Sequence, residues 1–244
     1  SPGETDPLPD FSEVPMTADG GQLTEKIRRR PYSVVLFDES AEGINRFGFD
    51  FVSNYLELNT SDFYFIPVQA ENQSLKVSGK DSLQLEFRLY ADKDASSLDS
   101  EAYIAYIYTI RGNNYRTGLQ VQVHHMEKYI TRTQSEWNLN WQLQLRRQEK
   151  NLKNEMTATT VYYSDAEDVE HLAESDVKSD SDAYATALKW ISFKQQYFTS
   201  TIIAADHFSH ATLVVDAEHG EGTPKRALKV MRANAALPLA SLEN

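Results

Sequence analysis

The six histidines are the residues of this sequence whose type most readily supports catalysis or metal binding. His207 and His210 are three residues apart and could bring two imidazoles to one face of a helix, but the β-branched and aromatic residues before them favour a strand. His124 and His125 are adjacent and would point to opposite faces of a strand. No HExxH motif is present, and the remaining histidines, His171 and His219, are isolated. We therefore predict no metal site and no cofactor.

The segment Val34–Glu39 has the form of a Walker B strand, with four apolar residues followed by two acids. The wider stretch Leu23–Glu39 resembles the same region of Clp-type AAA+ ATPases. ATP hydrolysis also needs a phosphate-binding loop of the form GxxxxGK[ST]. The sequence has one Gly-Lys pair, Gly79–Lys80, with Asp81 after it and Ser74 where the first glycine is required. We therefore interpret the segment as a buried strand that ends in an acidic turn, and exclude an ATPase.

Other catalytic classes have little support from residue type and spacing. The chain has no cysteine, which excludes thiolate nucleophiles, and no GxSxG motif for a serine nucleophile. A histidine and a carboxylate could serve a sugar-active β-sandwich as base and acid, but nothing selects one of the 36 acidic residues. We predict no catalytic residues. A carbohydrate-binding or sugar-active protein remains the alternative, as does a module whose sheet edge binds an extended chain.

The charge balance excludes further function classes. The 24 Lys and Arg residues against 36 Asp and Glu give a formal net charge of −12. Nucleic-acid binding and attachment to anionic lipid both need clustered positive charge, so we predict neither. The basic residues cluster only at Arg28–Arg30, which we interpret as an exposed strand edge.

The hydrophobic pattern predicts strands rather than helices. Apolar residues occupy alternate positions from Trp137 to Leu145, as expected of a half-buried strand. The same pattern recurs in four further segments, Leu83–Leu89, Leu119–Val123, Thr157–Tyr163 and Ala211–Val215. The stretch Ala183–Phe198 is ambiguous between strand and short helix. The segment Ser164–Asp182, with eight acids and one lysine, predicts a solvated loop. We predict an all-β fold with little helix.

The two ends of the chain predict its domain organisation. Residues 1–20 hold four of the eight prolines and no apolar period, so we expect a flexible arm, followed by a single domain over 21–244. The longest apolar run, Ala102–Ile110, is too short to span a membrane. The chain starts at Ser1 without a methionine, and we expect it to be the excised soluble part of a membrane protein.

Several segments, in order along the chain, are similar to one known family. The most specific is Lys189–Phe198, KWISFKQQYF, which matches a W-x-x-x-x-Q-Q-Y-F pattern. This signature comprises Trp190, Gln195, Gln196, Tyr197 and Phe198, which we interpret as structural residues. The other segments are Phe47–Phe51, Thr60–Phe65, Asn140–Gln142, Arg147–Lys150, Thr160–Tyr163 and Leu228–Ala233. Together they resemble the first periplasmic domain of the membrane protein insertase YidC, in its Bacteroidetes form, from roughly Gly20 to Leu239. The departure lies between Gly21 and Asp38, where the family usually has a longer hairpin.

The resemblance implies a β-supersandwich related to galactose mutarotase-like folds. It also implies a non-catalytic domain on the periplasmic side of the bacterial inner membrane, tethered to the membrane in the full-length protein. Its expected partners are components of the Sec translocon such as SecDF, and nascent membrane-protein segments. The family domain continues past Asn244, which implies a truncation at this end.

Overall fold

The computed structural model describes residues 45–69, 75–94, 97–131, 136–165, 168–175, 178–217 and 227–238. The predicted arm over 1–20, the Clp-like stretch Leu23–Glu39 and the basic cluster Arg28–Arg30 lie outside these residues. Within them, no helix is both long and apolar enough to cross a membrane.

The described chain is built mostly of strands, which confirms the predicted all-β class with little helix. One short α-helix, α1 (Leu152–Ala158), joins two of the strands. The strands are β1 (Arg46–Ser53), β2 (Leu56–Asn59), β3 (Ile66–Pro67), β4 (Ser82–Asp94), β5 (Ser97–Arg111), β6 (Gly118–His124), β7 (Glu136–Arg146), β8 (Thr160–Ser164), β9 (Val169–His171), β10 (Asp180–Tyr184), β11 (Leu188–Lys194), β12 (Thr199–Phe208), β13 (Ala211–Asp216) and β14 (Ala227–Pro238).

The strands form three sheets, and all their pairings are antiparallel. A six-stranded sheet has the order β10-β13-β14-β7-β1-β2. One four-stranded sheet has the order β12-β11-β8-β9, and the other has the order β3-β4-β5-β6.

The alternating pattern of β7 explains how the sheets pack. Trp137, Leu139, Trp141 and Leu145 are each at most 6% exposed, so one face of this central strand is buried. Phe49 of β1 is paired with Leu139 and therefore points to the same face.

Both four-stranded sheets cover this buried face of the six-stranded sheet. The ring of Trp141 stacks on Phe193 of β11, with 3.7 Å between centroids and 9° between planes. The ring of Phe49 meets Tyr106 of β5 edge to face at 6.0 Å. The result is a sandwich in which one large sheet faces two smaller ones lying side by side.

A buried lysine connects the six-stranded sheet to one of the four-stranded sheets. Lys229 of β14 is 0% exposed, and its Nζ donates to the carbonyl oxygens of Thr159 at 2.6 Å and Ser175 at 2.7 Å. Thr159 directly precedes β8, and Ser175 follows β9. Lys229 therefore joins the six-stranded sheet to the segments that flank these two strands of the smaller sheet.

In the middle of the chain, one expectation is corrected and one ambiguity is resolved. The predicted loop Ser164–Asp182 contains β9 and the first residues of β10. Both are strands at the edge of their sheets and bury little surface, so their sequences are acidic instead of alternating. The ambiguous stretch Ala183–Phe198 contains the end of β10 and the whole of β11, which pairs with β8 and β12 and buries Leu188, Ile191 and Phe193.

Candidate binding cleft

An open cleft separates the two four-stranded sheets. It has a volume of about 730 Å³ and runs between β6 and β12, which lie at the facing edges of those sheets. Its floor belongs to the six-stranded sheet and is apolar, formed by Phe47, Phe49, Leu139 and Leu237. The sheets that meet tightly at Trp141 and Phe193 therefore leave an accessible apolar channel alongside.

The walls of the cleft are strand edges. Strand β6 pairs with β5 and strand β12 pairs with β11, and no described strand pairs with the opposite edge of either. An edge of this kind presents backbone N–H and C=O groups that can bind another extended chain. The cleft therefore combines two hydrogen-bonding walls with an apolar floor.

A bulge limits the regular part of the β12 edge. Leu188 pairs with Phe208 and Trp190 pairs with Ile203, so Ala204–His207 lie opposite Lys189 alone. The Nζ of Lys189 donates to the carbonyl oxygens of Ala205 at 3.0 Å and of Asp206 at 2.7 Å. Regular strand geometry along the cleft is thus confined to Thr199–Ile203.

An aromatic pocket of about 670 Å³ adjoins the cleft, and Phe47 and Tyr108 line both. Four further rings complete its walls, those of Phe63, Phe65, Phe87 and Tyr106. On its rim, Arg46 Nη2 donates to Ser61 Oγ at 3.1 Å and to Asp62 Oδ1 at 2.5 Å.

Two buried hydroxyls line the aromatic pocket. Thr60 Oγ1 lies 2.6 Å from the Tyr106 hydroxyl and accepts a hydrogen bond from Phe49 N at 2.8 Å. Thr60 and Tyr106 are 1% and 6% exposed. Burial raises the pKa of the Tyr106 phenol, so it remains protonated.

A glycine in β1 allows the turn that carries Thr60 to approach the sheet. A Cβ on Gly48 would lie 2.3 Å from Asn59 Oδ1 and 2.7 Å from Ser61 N. Asn59 caps the turn, since its Oδ1 accepts from Ser61 N at 2.9 Å. Any larger residue at this position would displace the turn and its contribution to the pocket.

The predicted signature segment forms the end of β11 and the hairpin to β12. Gln195 is 4% exposed and its Nε2 donates to the carbonyl of Arg146 at 3.0 Å, which fixes the hairpin to β7. Tyr197 is 69% exposed and accepts a hydrogen bond from Gln196 Nε2 at 3.1 Å. Trp190 and Phe198 are half-buried and border a shallow basin of about 340 Å³. The structure thus brings all five signature residues together around this basin, outside the cleft.

Charged groups gather at the far side of the same basin. Lys194 Nζ lies 4.9 Å from the centroid of the Tyr162 ring and 3.7 Å from Glu174 Oε1. The Tyr162 hydroxyl donates to the same carboxylate at 2.8 Å, and this bond lowers the pKa of Glu174. The group is exposed at the surface and its charges are mutually compensated.

The histidines are dispersed over the described structure. His207 Nδ1 lies 2.9 Å from Asp206 Oδ2, and His210 Nδ1 lies 3.8 Å from Glu136 Oε2. Neither pair belongs to the residues that line the cleft. His124 packs against Tyr103 at the end of β6, and His171 packs against Tyr162, while His219 is outside the described ranges. No three His, Asp or Glu side chains of the described residues are grouped as a metal site would require.

The family to which the chain belongs is shown by comparison with known proteins. The model of the YidC periplasmic domain matches residues 23–241. The chain belongs to this family. The segments that suggested the resemblance from the sequence lie within the match.

Several bacterial proteins named membrane protein insertase YidC are similar to the chain. The one from Parabacteroides distasonis is 33% identical over 181 residues, which cover 74% of this chain and 25% of that protein. The one from Bacteroides fragilis strain ATCC 25285 is 30% identical over 182 residues, covering 74% and 26%. The one from Azobacteroides pseudotrichonymphae is 28% identical over 211 residues, covering 82% and 30%. The chain thus spans less than a third of each of these three relatives. No solved structure matches it.

The cleft and the aromatic pocket of this YidC periplasmic domain were not found from the sequence. Phe47–Phe51 and Thr60–Phe65 contributed only to the resemblance, yet they supply much of the pocket. One signal was present, because a glycine inside an apolar strand, here Gly48, often marks the close approach of another backbone. No local sequence pattern indicated the cleft, because the cleft depends on which strands lie at the edges of their sheets.

Proposed function

We propose that this chain is the non-catalytic periplasmic part of a YidC-type insertase, located on the periplasmic side of the bacterial inner membrane. It assists Sec-linked insertion and folding of inner-membrane proteins through protein–protein contacts. Its partners are components of the Sec translocon such as SecDF, and nascent membrane-protein segments. Family membership supports the insertase context, and the cleft between β6 and β12 supports the contact role.

The cleft has the chemistry to bind an extended polypeptide. Its facing strand edges offer backbone donors and acceptors, which give affinity for any extended chain regardless of its sequence. Its floor of Phe47, Phe49, Leu139 and Leu237 favours apolar side chains. An unfolded segment of a membrane protein presents both groups at once, an unpaired backbone and apolar side chains.

The residues lining the cleft give no support to the sugar-active alternative. They include one charged side chain, Arg116, and no histidine or carboxylate among the described residues. A base and acid pair for sugar chemistry would have to lie elsewhere.

Photocrosslinking from the cleft tests the proposed contact. Tyr115 lines the cleft and is fully exposed, so replacement by benzoylphenylalanine conserves its aromatic character. The replacement is made in cells that produce the insertase polypeptide containing this chain. We expect ultraviolet light to give adducts with SecDF components or with newly made membrane proteins, identified by mass spectrometry.

A second exposed tyrosine and a blocked cleft provide the controls. Tyr55 is 98% exposed in the turn between β1 and β2, and the same replacement there should give few adducts. Ser200 lies in the cleft wall opposite Phe193 in the pairing of β12 with β11. Ser200→Lys should suppress the Tyr115 adducts, because a lysine at an edge opposes strand addition, whereas Ser200→Ala should not. Equal adducts from positions 115 and 55 would refute the proposal.

A further inference from the structure

The aromatic pocket beside the cleft has an unused hydrogen-bond donor. Thr60 and Tyr106 each carry one hydroxyl hydrogen, but the bond between them uses only one of these two hydrogens. The other contact of Thr60 Oγ1 is with Phe49 N, where the hydroxyl oxygen is the acceptor. Whichever hydroxyl donates in the pair, the remaining hydrogen has no acceptor among the described residues. A buried donor left in this way favours a ligand that brings an acceptor.

The rim of the pocket carries no net charge. Arg46 is paired with Asp62, and its Nε and Nη2 both donate to Ser61 Oγ, at 3.2 and 3.1 Å. The guanidinium and the carboxylate therefore compensate each other at the entrance, and neither selects an anion or a cation. A neutral ligand fits this rim.

The walls of the pocket are suited to an aromatic ring. Phe65 and Tyr106 lie 4.5 Å apart at 33°, and Phe87 meets Tyr108 edge to face at 6.0 Å. A further ring could add to this arrangement at the same spacings, which are those that aromatic pairs prefer. A pocket of about 670 Å³ also has the size typical of sites for small ligands.

We propose that the aromatic pocket binds an aromatic side chain of a polypeptide, with a neighbouring backbone carbonyl accepting the free hydrogen of the Thr60–Tyr106 pair. This inference rests on the proposed polypeptide-binding function and adds a preference for sequence to it. Because Phe47 and Tyr108 line both the cleft and the pocket, a chain leaving the cleft passes directly over them. The cleft binds the extended backbone, and the pocket selects segments with a Phe, Tyr or Trp at the matching position.

Two features disfavour a sugar as the ligand. A sugar presents several hydroxyls, which need several polar partners inside the pocket, but Arg46, Ser61 and Asp62 lie on its rim, where they bond to one another. The walls are formed by six aromatic rings and leave the Thr60–Tyr106 pair as the polar group at the base.

An NMR titration of the chain with N-acetyl-phenylalaninamide tests the pocket directly. The probe has one aromatic ring, backbone-like carbonyls and no charge. We expect saturable shifts of amide signals in Thr60–Phe65 and around Tyr106. N-acetyl-glycinamide should give none at the same concentration, because it lacks the ring. Absence of saturable shifts with the aromatic amide, or tighter binding of methyl glucoside than of the amide, would overturn the proposal.

Substitutions distinguish the contribution of the hydroxyl pair to binding from that of the aromatic rings. Thr60→Val combined with Tyr106→Phe removes both hydroxyls and should weaken binding of the amide about fivefold, the usual effect of one neutral hydrogen bond, whereas either single change leaves one hydroxyl hydrogen free. Tyr129→Phe is the matched control, because it removes a hydroxyl that donates to Asp99 outside the pocket, and it should not change the affinity. Equal affinity of the chain with both hydroxyls removed and the parent chain would contradict the role of the hydroxyl pair.

A further variant applies if the combined Thr60→Val and Tyr106→Phe change prevents folding. Phe63 is 40% exposed at the pocket, so Phe63→Ala leaves the interior intact, and it should weaken the amide at least fivefold. An unchanged affinity would contradict the role of the rings. The Tyr115 crosslinks test the proposal that the cleft binds polypeptide, and the amide titration tests the proposal that the pocket binds an aromatic side chain. The two proposals can therefore fail separately.

Discussion

The six-stranded sheet meets its two partner sheets in different ways. Against β11 it packs closely, with Trp141 stacked on Phe193 and the buried Lys229 joining the layers. Between β6 and β12 it forms the floor of an open cleft, which the aromatic pocket adjoins. We call these regions the packed half and the open half.

The difference shows how one sheet can supply both a packed core and the floor of an open cleft. The packed half buries large side chains and the hydrogen-bonded ammonium of Lys229, and burial of this kind is where most of the free energy of folding is gained. The open half keeps apolar residues and strand edges accessible and gives up part of that gain. Substitutions in the packed half should therefore affect stability, and those in the open half should affect binding.

Phe193→Ala should have the largest effect on stability. Phe193 is 1% exposed, and its loss leaves a cavity against Trp141. We expect the free energy of unfolding to fall by about 3–5 kcal/mol, measured by urea denaturation. The matched change in the open half, Phe63→Ala, should cost about 1 kcal/mol, because that ring is partly exposed. Similar losses in the two variants would contradict the distinction between the halves.

Lys229→Met should have the next largest effect. It preserves much of the side-chain volume but leaves the carbonyls of Thr159 and Ser175 without the Nζ donor. We expect a loss of about 2–4 kcal/mol in the same denaturation experiment. Lys189→Met also removes an ammonium that donates to two carbonyls, but at an exposed site, and should cost less than about 1 kcal/mol. A loss for Lys229→Met no larger than for Lys189→Met would show that the buried lysine contributes little to the packed half.

The pH dependence of stability should show the smallest effect, through two carboxylates with opposite shifts. Burial raises the pKa of Glu155, whose carboxylate accepts from Gln148 N and Glu149 N. Its folded form thus holds the proton more tightly than the unfolded chain. The resulting stabilisation is complete below the ordinary pKa of 4.5 and is lost as the pH rises through the folded value. Glu155→Gln should remove this loss.

Glu174 should change the pH dependence of stability in the opposite direction. The hydrogen bond from Tyr162 lowers its pKa, so its contribution is present above 4.5 and is lost as the pH falls through the folded value. Glu174→Gln should therefore flatten the acid side of the stability profile. Thermal melts at intervals between about pH 3 and 7 measure both changes, and a shift of the same sign in the two variants would contradict these assignments.

The sequence was sufficient for the elements with strong local patterns. The alternating apolar residues of β7 predicted a half-buried strand because each alternate side chain enters the core. Strands β9 and β10 were missed because they lie at sheet edges, where acidic side chains remain in solvent. Lys229 gave no sign of its burial, since its partners, Thr159 and Ser175, lie more than 50 residues away along the chain.

The cleft and the aromatic pocket could not be predicted for a similar reason. The hydroxyl pair in the aromatic pocket joins residues 46 positions apart, Thr60 and Tyr106. The cleft depends on the order of strands in two separate sheets, which no local pattern specifies. Gly48 was the local residue whose type pointed toward the pocket.

The bulge in β12 also sets a length scale. With its carbonyls held by Lys189, the strand offers a regular edge over Thr199–Ile203, which is about 17 Å at roughly 3.4 Å per residue. A visiting chain can therefore register with the edge for little more than one short strand before it must turn away. If the cleft binds polypeptide as proposed, this edge pairs with only a brief stretch of chain, and so short an edge also disfavours the continuous edge-to-edge growth that leads to fibres.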